Sequence, residues 1–218
     1  MEKYKDDIKR LNSLEEFSFE DFVKTVEILR ELCPWDKEQT HTSIRKNLIE
    51  EAYEVVEGID RNDPKIMKEE LGDLMLQVVF HSIMGKEDGE YDVYSVMTDV
   101  CKKLIRRHPH IFAEVYADTT DKVLENWENI KKEEKENKTL SDELSSISSS
   151  LPALMRSEKV CKKIRKRTGN VFDDMPLTEE EAGELLFKLT SRCDNSGIDA
   201  EEALFRYTER KIKEYENK

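Results

Sequence analysis

The sequence predicts an all-α protein, and three observations carry that prediction. Apolar residues return every three or four positions through one segment after another, which is the repeat of a helix face. Alternation of apolar with polar residues, the mark of a half-buried strand, is missing over any useful length. The composition agrees: 39% of the 218 residues are charged, only seven are Gly and five Pro, and Glu, Lys and Leu dominate. The architecture expected from the order of elements is a four-helix bundle followed by a shortened, degenerate second helical repeat.

Residues 1–16 are polar and read as a short arm. Phe19, Phe22, Val23, Val26, Leu29 and Leu32 then repeat at helical spacing behind Ser18 as N-cap. Asp21 is a weak third partner for a capping box, where Glu or Gln is usual. Pro34 disfavours helix in the residue ahead of it, so this helix ends before Cys33-Pro34-Trp35-Asp36 and a loop carrying Trp35 follows. Two helices over 42–60 and 64–84 come next, joined by a turn built on Asn62, Asp63 and Pro64. Leu48, Ala52, Val55 and Ile59 form the core stripe of the first; the second is apolar almost all round from 71 to 84 and is expected to be central and buried. After a polar turn at 85–89, a helix over 92–107 carries Val93, Val96, Met97, Val100 and Leu104 as its stripe, and His108-Pro109-His110 breaks it.

Residues 121–136 hold one weak apolar face of Val123, Trp127 and Ile130, and 131–138 is a charge run. Residues 139–150, with six serines in the last ten, read as a linker, so the domains are expected at 1–138 and 151–218. The second unit repeats part of the first: Glu180-Glu181-Ala182-Gly183-Glu184-Leu185-Leu186 matches Glu69-Glu70-Leu71-Gly72-Asp73-Leu74-Met75 in its acid, glycine and apolar positions.

Chemistry concentrates in the acids. Residues three and four apart share a helix face, so Glu51 and Glu54 project together from Glu50-Glu51-Ala52-Tyr53-Glu54, and Glu70 and Asp73 do the same on the next helix. Each pair borders a buried face, where an uncompensated carboxylate costs several kcal/mol. Four hard oxygen ligands on two antiparallel helices suit Mg²⁺ or Mn²⁺ with positions open for water and phosphate. Ordinary solvated charges would explain one such cluster, but two of matched spacing favour the metal. The second unit lacks the first pair, since 156–167 is basic instead. Two acids hold catalytic metal poorly, so that unit is expected to be non-catalytic and to help dimerisation or stability.

No glycine-rich phosphate cradle occurs, so metal and basic side chains must hold any polyphosphate. Lys103 and Arg107, one turn apart near a helix C-terminus, are candidates, although taken alone they are better explained by favourable helix-end charge, at under ~1 kcal/mol each. His41, His81, His108 and His110 make no helical metal pair, and His81 reads as a satisfied core histidine. No Ser or Cys occupies a nucleophile elbow, which leaves hydrolysis by water activated at a metal.

A formal charge of -13 argues against a nucleic-acid polymer as partner. Cys33, Cys101, Cys161 and Cys193 show neither zinc nor disulfide spacing and read as reduced thiols. With no apolar leader and no run of eighteen apolar residues, a cytoplasmic protein without membrane contact is expected.

Together with the acids, Cys33-Pro34-Trp35-Asp36-Lys37-Glu38-Gln39-Thr40, Arg106-Arg107-His108-Pro109-His110-Ile111-Phe112, Trp127 with Ile130-Lys131, and Leu151-Pro152-Ala153-Leu154-Met155-Arg156 make a specific set. The chain closely resembles the MazG-type nucleoside triphosphate pyrophosphohydrolases of the all-α NTP pyrophosphatase superfamily, from about residue 20 to the end. The resemblance implies Mg²⁺-dependent hydrolysis of a nucleoside triphosphate to the monophosphate and pyrophosphate by a homodimer. It implies metal ligation by Glu51, Glu54, Glu70 and Asp73 and phosphate contacts from Lys103 and Arg107. Glu50 would orient or deprotonate water, and Trp35 and Trp127 would flank the base. Long members of this family carry two complete repeats; here only the first keeps all four acids, so the N-terminal site must carry any activity. The expected role is house-cleaning or control of the nucleotide pool. A non-catalytic Mg-nucleotide sensor or a helical partner-binding protein is the alternative.

Overall fold

The computed structural model describes residues 2–113, 117–134, 139–169, 172–173 and 175–216, and within them every regular element is helical. The chain forms two compact units, Met1–Tyr116 and Ala117–Lys218.

The first unit opens with a single 3₁₀ turn, Glu2–Tyr4, and α1, Lys5–Leu11. This is a packed element rather than a free arm. Tyr4 is buried and its hydroxyl donates to Glu31 at 2.6 Å, while Arg10 pairs with Asp21 at 2.6 Å. Helix α2, Phe19–Leu32, starts on a complete capping box: Ser18 Oγ accepts from the Asp21 amide at 3.1 Å and Asp21 Oδ2 accepts from the Ser18 amide at 3.0 Å. Aspartate therefore closes the box despite its shorter side chain. Where a loop was expected, Pro34–Glu38 form the short helix α3, because proline at the first helical position costs no hydrogen bond.

Helices α4, Arg45–Asp60, and α5, Pro64–Glu87, make the most extensive packing pair in the chain. Asn62 takes a left-handed φ of 49° in the turn between them. Asp63 then caps α5, accepting from the amides of Lys65 at 2.9 Å and Ile66 at 3.3 Å. Gly58 lets the two helices close at this end, since a Cβ there would lie 3.0 Å from the Met67 backbone nitrogen. Helix α6, Val93–Arg107, and a final turn α7, Pro109–Phe112, follow. Val23, Val26, Ile44, Val79, Phe80, Ile83, Met84 and Val93 form the core, so α2, α5 and the entries to α4 and α6 define it.

Burial differs from the periodicity in three places. Only the second half of α5 is buried; Leu71, Met75 and Val78 are exposed. On α4, Leu48 and Val55 are half-buried, but Ala52 and Ile59 are exposed. On α6, Val93 alone of the apolar stripe enters the core, and Val96, Met97, Val100 and Leu104 are exposed. Periodicity reports which face is apolar, and it cannot report whether one chain supplies enough partners to cover it.

The second unit holds α8, Thr120–Glu134, α9, Leu140–Ser145, α10, Ala153–Thr168, α11, Glu179–Asn195, and α12, Ala200–Glu216. The charge run at 131–138 ends outside the described residues. The expected linker at 139–150 proves to be part of this unit's core, and the units divide near 116 rather than near 138. Leu144 and Ile147 are buried with Val160, Ile164 and Ile212, and Leu140 and Leu151 pack against them. Four apolar residues at helical spacing among the serines outweigh the linker composition, because burying them offsets the cost of ordering the segment. Thr139 adds a capping box with Asp142. Helix α11 packs lightly on α12.

Candidate active site: carboxylates between two antiparallel helices

The turn at 61–63 reverses the chain so that α4 and α5 run antiparallel, and this brings the acids of both together. Ligand oxygens of Glu51, Glu70 and Asp73 all lie within 4.8 Å of one another. Among the described residues no other group of three His, Cys, Asp or Glu side chains is so spaced. Glu54 lies near enough for its charge to act on both Glu51 and Glu70. Three of the four acids predicted from face spacing thus meet, with Glu54 beside them.

Their electrostatics record the crowding. Burial, then the charges of Asp73, Glu54 and Glu70, hold the Glu51 carboxyl above the usual carboxylate range. Glu70 is raised by desolvation and by Glu54, Glu69 and Asp73. Face spacing gave Glu69 no role, yet as the residue before Glu70 it adds to the negative field. After burial, the charged groups that act most strongly on Glu51 and Glu70 are all carboxylates. The donor set is hard oxygen on rigid helices, which fits a small divalent cation such as Mg²⁺.

The remaining predicted residues are less concentrated. Glu50 is exposed on α4, and Lys103 and Arg107 lie one turn apart on α6, the first exposed and the second half-buried. Trp35 is exposed in α3 of the first unit, whereas Trp127 is half-buried in α8 of the second. His81 departs from the expected satisfied histidine: its Nδ1 meets His41 Nδ1 at 2.7 Å, but its buried Nε2 has no partner.

An all-helical unit that gathers carboxylates from two neighbouring helices offers the kind of oxygen donor set that suits a divalent cation. Comparison with known proteins narrows this. Residues 39–112 match the MazG nucleotide pyrophosphohydrolase domain. The nucleoside triphosphate pyrophosphohydrolase of Escherichia coli K12 is 39% identical over 206 residues, covering 82% of this chain and 77% of that protein. The nucleoside triphosphate pyrophosphohydrolase/pyrophosphatase MazG of Thermotoga maritima is 36% identical over 218 residues, covering 90% and 84%. A crystal structure of a MazG-related protein from Thermotoga maritima is similar at a TM-score of 0.47 and 26% identity, covering 52% of this chain and 98% of that one. The chain belongs to the MazG family of nucleotide pyrophosphohydrolases, and it is an enzyme.

Proposed function

We propose that the first unit hydrolyses a nucleoside triphosphate to the monophosphate and pyrophosphate, with Mg²⁺, or Mn²⁺ in its place, held by Glu51, Glu54, Glu70 and Asp73. The observation that carries this reading is the meeting of Glu51, Glu70 and Asp73 within 4.8 Å, where the charges acting on Glu51 and Glu70 are those of other carboxylates. When bound, the cation neutralises polyphosphate charge and acts as a Lewis acid. The chain's own residues do the rest. Glu50 is assigned to orient water or take its proton as the bond between α and β phosphates breaks. Lys103 and Arg107 are assigned to phosphate oxygens, whose charge grows as pyrophosphate leaves. Trp35 and Trp127 are the candidates for stacking on the base.

We extend the proposal to a homodimer in the cytoplasm that clears or controls nucleoside triphosphates. Support for the dimer is the exposed apolar surface of Tyr53 on α4, Leu71 and Met75 on α5, and Met97 and Leu104 on α6, which a second copy would cover. Among the described residues, no helix is long and apolar enough to cross a membrane. The decisive experiment is a panel of nucleoside triphosphates with Mg²⁺, resolved by product, beside Glu51→Gln. Pyrophosphate and monophosphate are expected from the wild type alone; orthophosphate as the product, or full activity in the variant, would sink the proposal.

A further inference from the structure

Besides Ile44, which is buried in the core, two side-chain anchors hold residues 34–44, the segment that leads into α4. The first is Arg30 of α2. Its Nη1 donates to the carbonyls of Asp36 at 2.5 Å, Lys37 at 3.1 Å and Gln39 at 2.8 Å, while Nε and Nη2 grip Glu87 at 3.0 and 2.9 Å. A guanidinium stays charged in any ordinary solution.

The second anchor is a pair of imidazoles. Nδ1 of His41 lies 2.7 Å from Nδ1 of His81 on α5, the ring planes differ by 9°, and the centroids are 4.9 Å apart. The nitrogen gap plus one ring radius on each side accounts for that whole centroid separation. The rings therefore meet edge to edge in nearly one plane, each Nδ1 aimed at the other, and not face over face. This is the geometry of an N–H···N hydrogen bond, in which one ring donates and the other must present a lone pair.

Such a bond exists in some protonation states only. The neutral pair makes it, and so does a pair with one added proton, where the donor ring is cationic. A second proton puts N–H on both facing nitrogens, and the bond is lost. Two sites that share one proton have linked protonation states. His41 is half-exposed, whereas burial, followed by the charge of His41, holds His81 below the ordinary histidine range. Among the described residues, His41 is the titratable group acting on His81. One turn back on α5 stands Gln77, uncharged and buried, whose Oε1 has no partner, just as His81 Nε2 has none. A protonated His81 must carry a hydrogen on Nε2, and Gln77 Oε1 is an acceptor on the same helix face.

We propose that His41 and His81 form a proton-operated latch, which fixes the entry of α4 against α5 while His81 is neutral and frees residues 40–44 when His81 takes up a proton and turns toward Gln77. Both are positioning residues. Their effect on turnover rests on the function proposed above, because α4 and α5 carry the four acids; the latch itself does not. The sign follows from the fold's preference for neutral His81: the stabilisation is complete above the ordinary histidine range and is lost as pH falls through and below it.

The test combines imidazole ¹⁵N NMR with pH-dependent amide exchange on the full chain. At neutral pH one ring should be the Nδ1–H tautomer and the other Nε2–H, with a coupled two-step titration. Opening of residues 40–44, corrected for intrinsic exchange, should rise as pH falls below the histidine range, while 34–39, held by Arg30, stay unchanged. His41→Phe should open residues 40–44 about tenfold at neutral pH, the equivalent of one neutral hydrogen bond, and match the wild type once acid has released the latch. His41→Asn, whose amide can donate to neutral His81 or accept from its charged form, should restore closure and remove the acid release. Independent titration of the two rings at ordinary values, exchange at 40–44 that is flat with pH in the wild type, or an acid release in His41→Asn as large as in the wild type overturns the latch. Latch signals present in a protein that hydrolyses no triphosphate would support the latch and overturn the proposed function alone.

Discussion

Glu70 in α5 and Glu181 in α11 lie in nearly matching runs, acid-acid-apolar-glycine-acid, yet they do opposite things. Glu70 is the seventh residue of its helix, past the first turn, where it meets the acids of α4. Glu181 is the third residue of its helix and closes a capping box: it accepts from the Thr178 amide and hydroxyl, both at 2.8 Å. Like-charged neighbours and desolvation push Glu70 up, while the bonds from Thr178 pull Glu181 down. Glu184, the counterpart of Asp73, pairs with Lys188 on the surface. The offset of four residues is about one helical turn. It arises because α5 begins upstream, on the turn that follows α4, whereas α11 begins at Thr178 with no acidic helix behind it. The preceding helix α10 is basic and packs instead on α9 and α12. An acid motif becomes a site only when the helix before it supplies the other half.

Mutating the two runs in parallel is the strongest way to break this comparison. Glu51→Gln or Asp73→Asn should lower pyrophosphate release by about 10³-fold or more, the scale of several kcal/mol of charge stabilisation, with unchanged helical circular dichroism. Glu181→Gln and Glu184→Gln should leave turnover at the wild-type rate, and a loss there comparable to that of Glu51→Gln would refute the separation of roles. Gly58→Ala tests whether the α4 and α5 junction assembles the site. Its Cβ would press on the Met67 backbone, and thermal melts should report about 1–3 kcal/mol of lost stability. Thr178→Ala should cost about 1 kcal/mol by removing the α11 cap, again without effect on turnover.

The smallest effect is a dependence on pH. Glu51 and Glu70 are both held above the carboxylate range, so the fold binds their protons more readily than the unfolded chain does. Their stabilisation is complete below that range and is lost as pH rises through it. The thermal shift given by Mg²⁺ should grow over the same interval, since ionised carboxylates hold the cation. Glu181, with its lowered value, runs the other way. A Mg²⁺ shift that is flat across the carboxylate range would show that the acids are not its ligands.

Much of the first unit could be read directly from residues. The Ser18 cap, the Asp63-Pro64 start of α5 and the three-and-four spacing of Glu51, Glu54, Glu70 and Asp73 are local signals, and local signals survive in a sequence. The linker at 139–150 misled because composition counts serines, while Leu140, Leu144, Ile147 and Leu151 are decided by what they pack against. Arg30 and the His41–His81 pair left no pattern at all: their partners lie in other segments, so only the folded chain brings them together.

The sequence by itself determined the helices, their caps and the faces on which acids gather, since each depends on neighbours within about two turns. Tertiary structure alone decided which of two similar acid runs becomes a cluster, which apolar stripes stay uncovered, and which histidines share a proton. Those outcomes depend on distances between segments remote in the chain, and the energies of burial, repulsion and hydrogen bonding that settle them exist only once the segments meet.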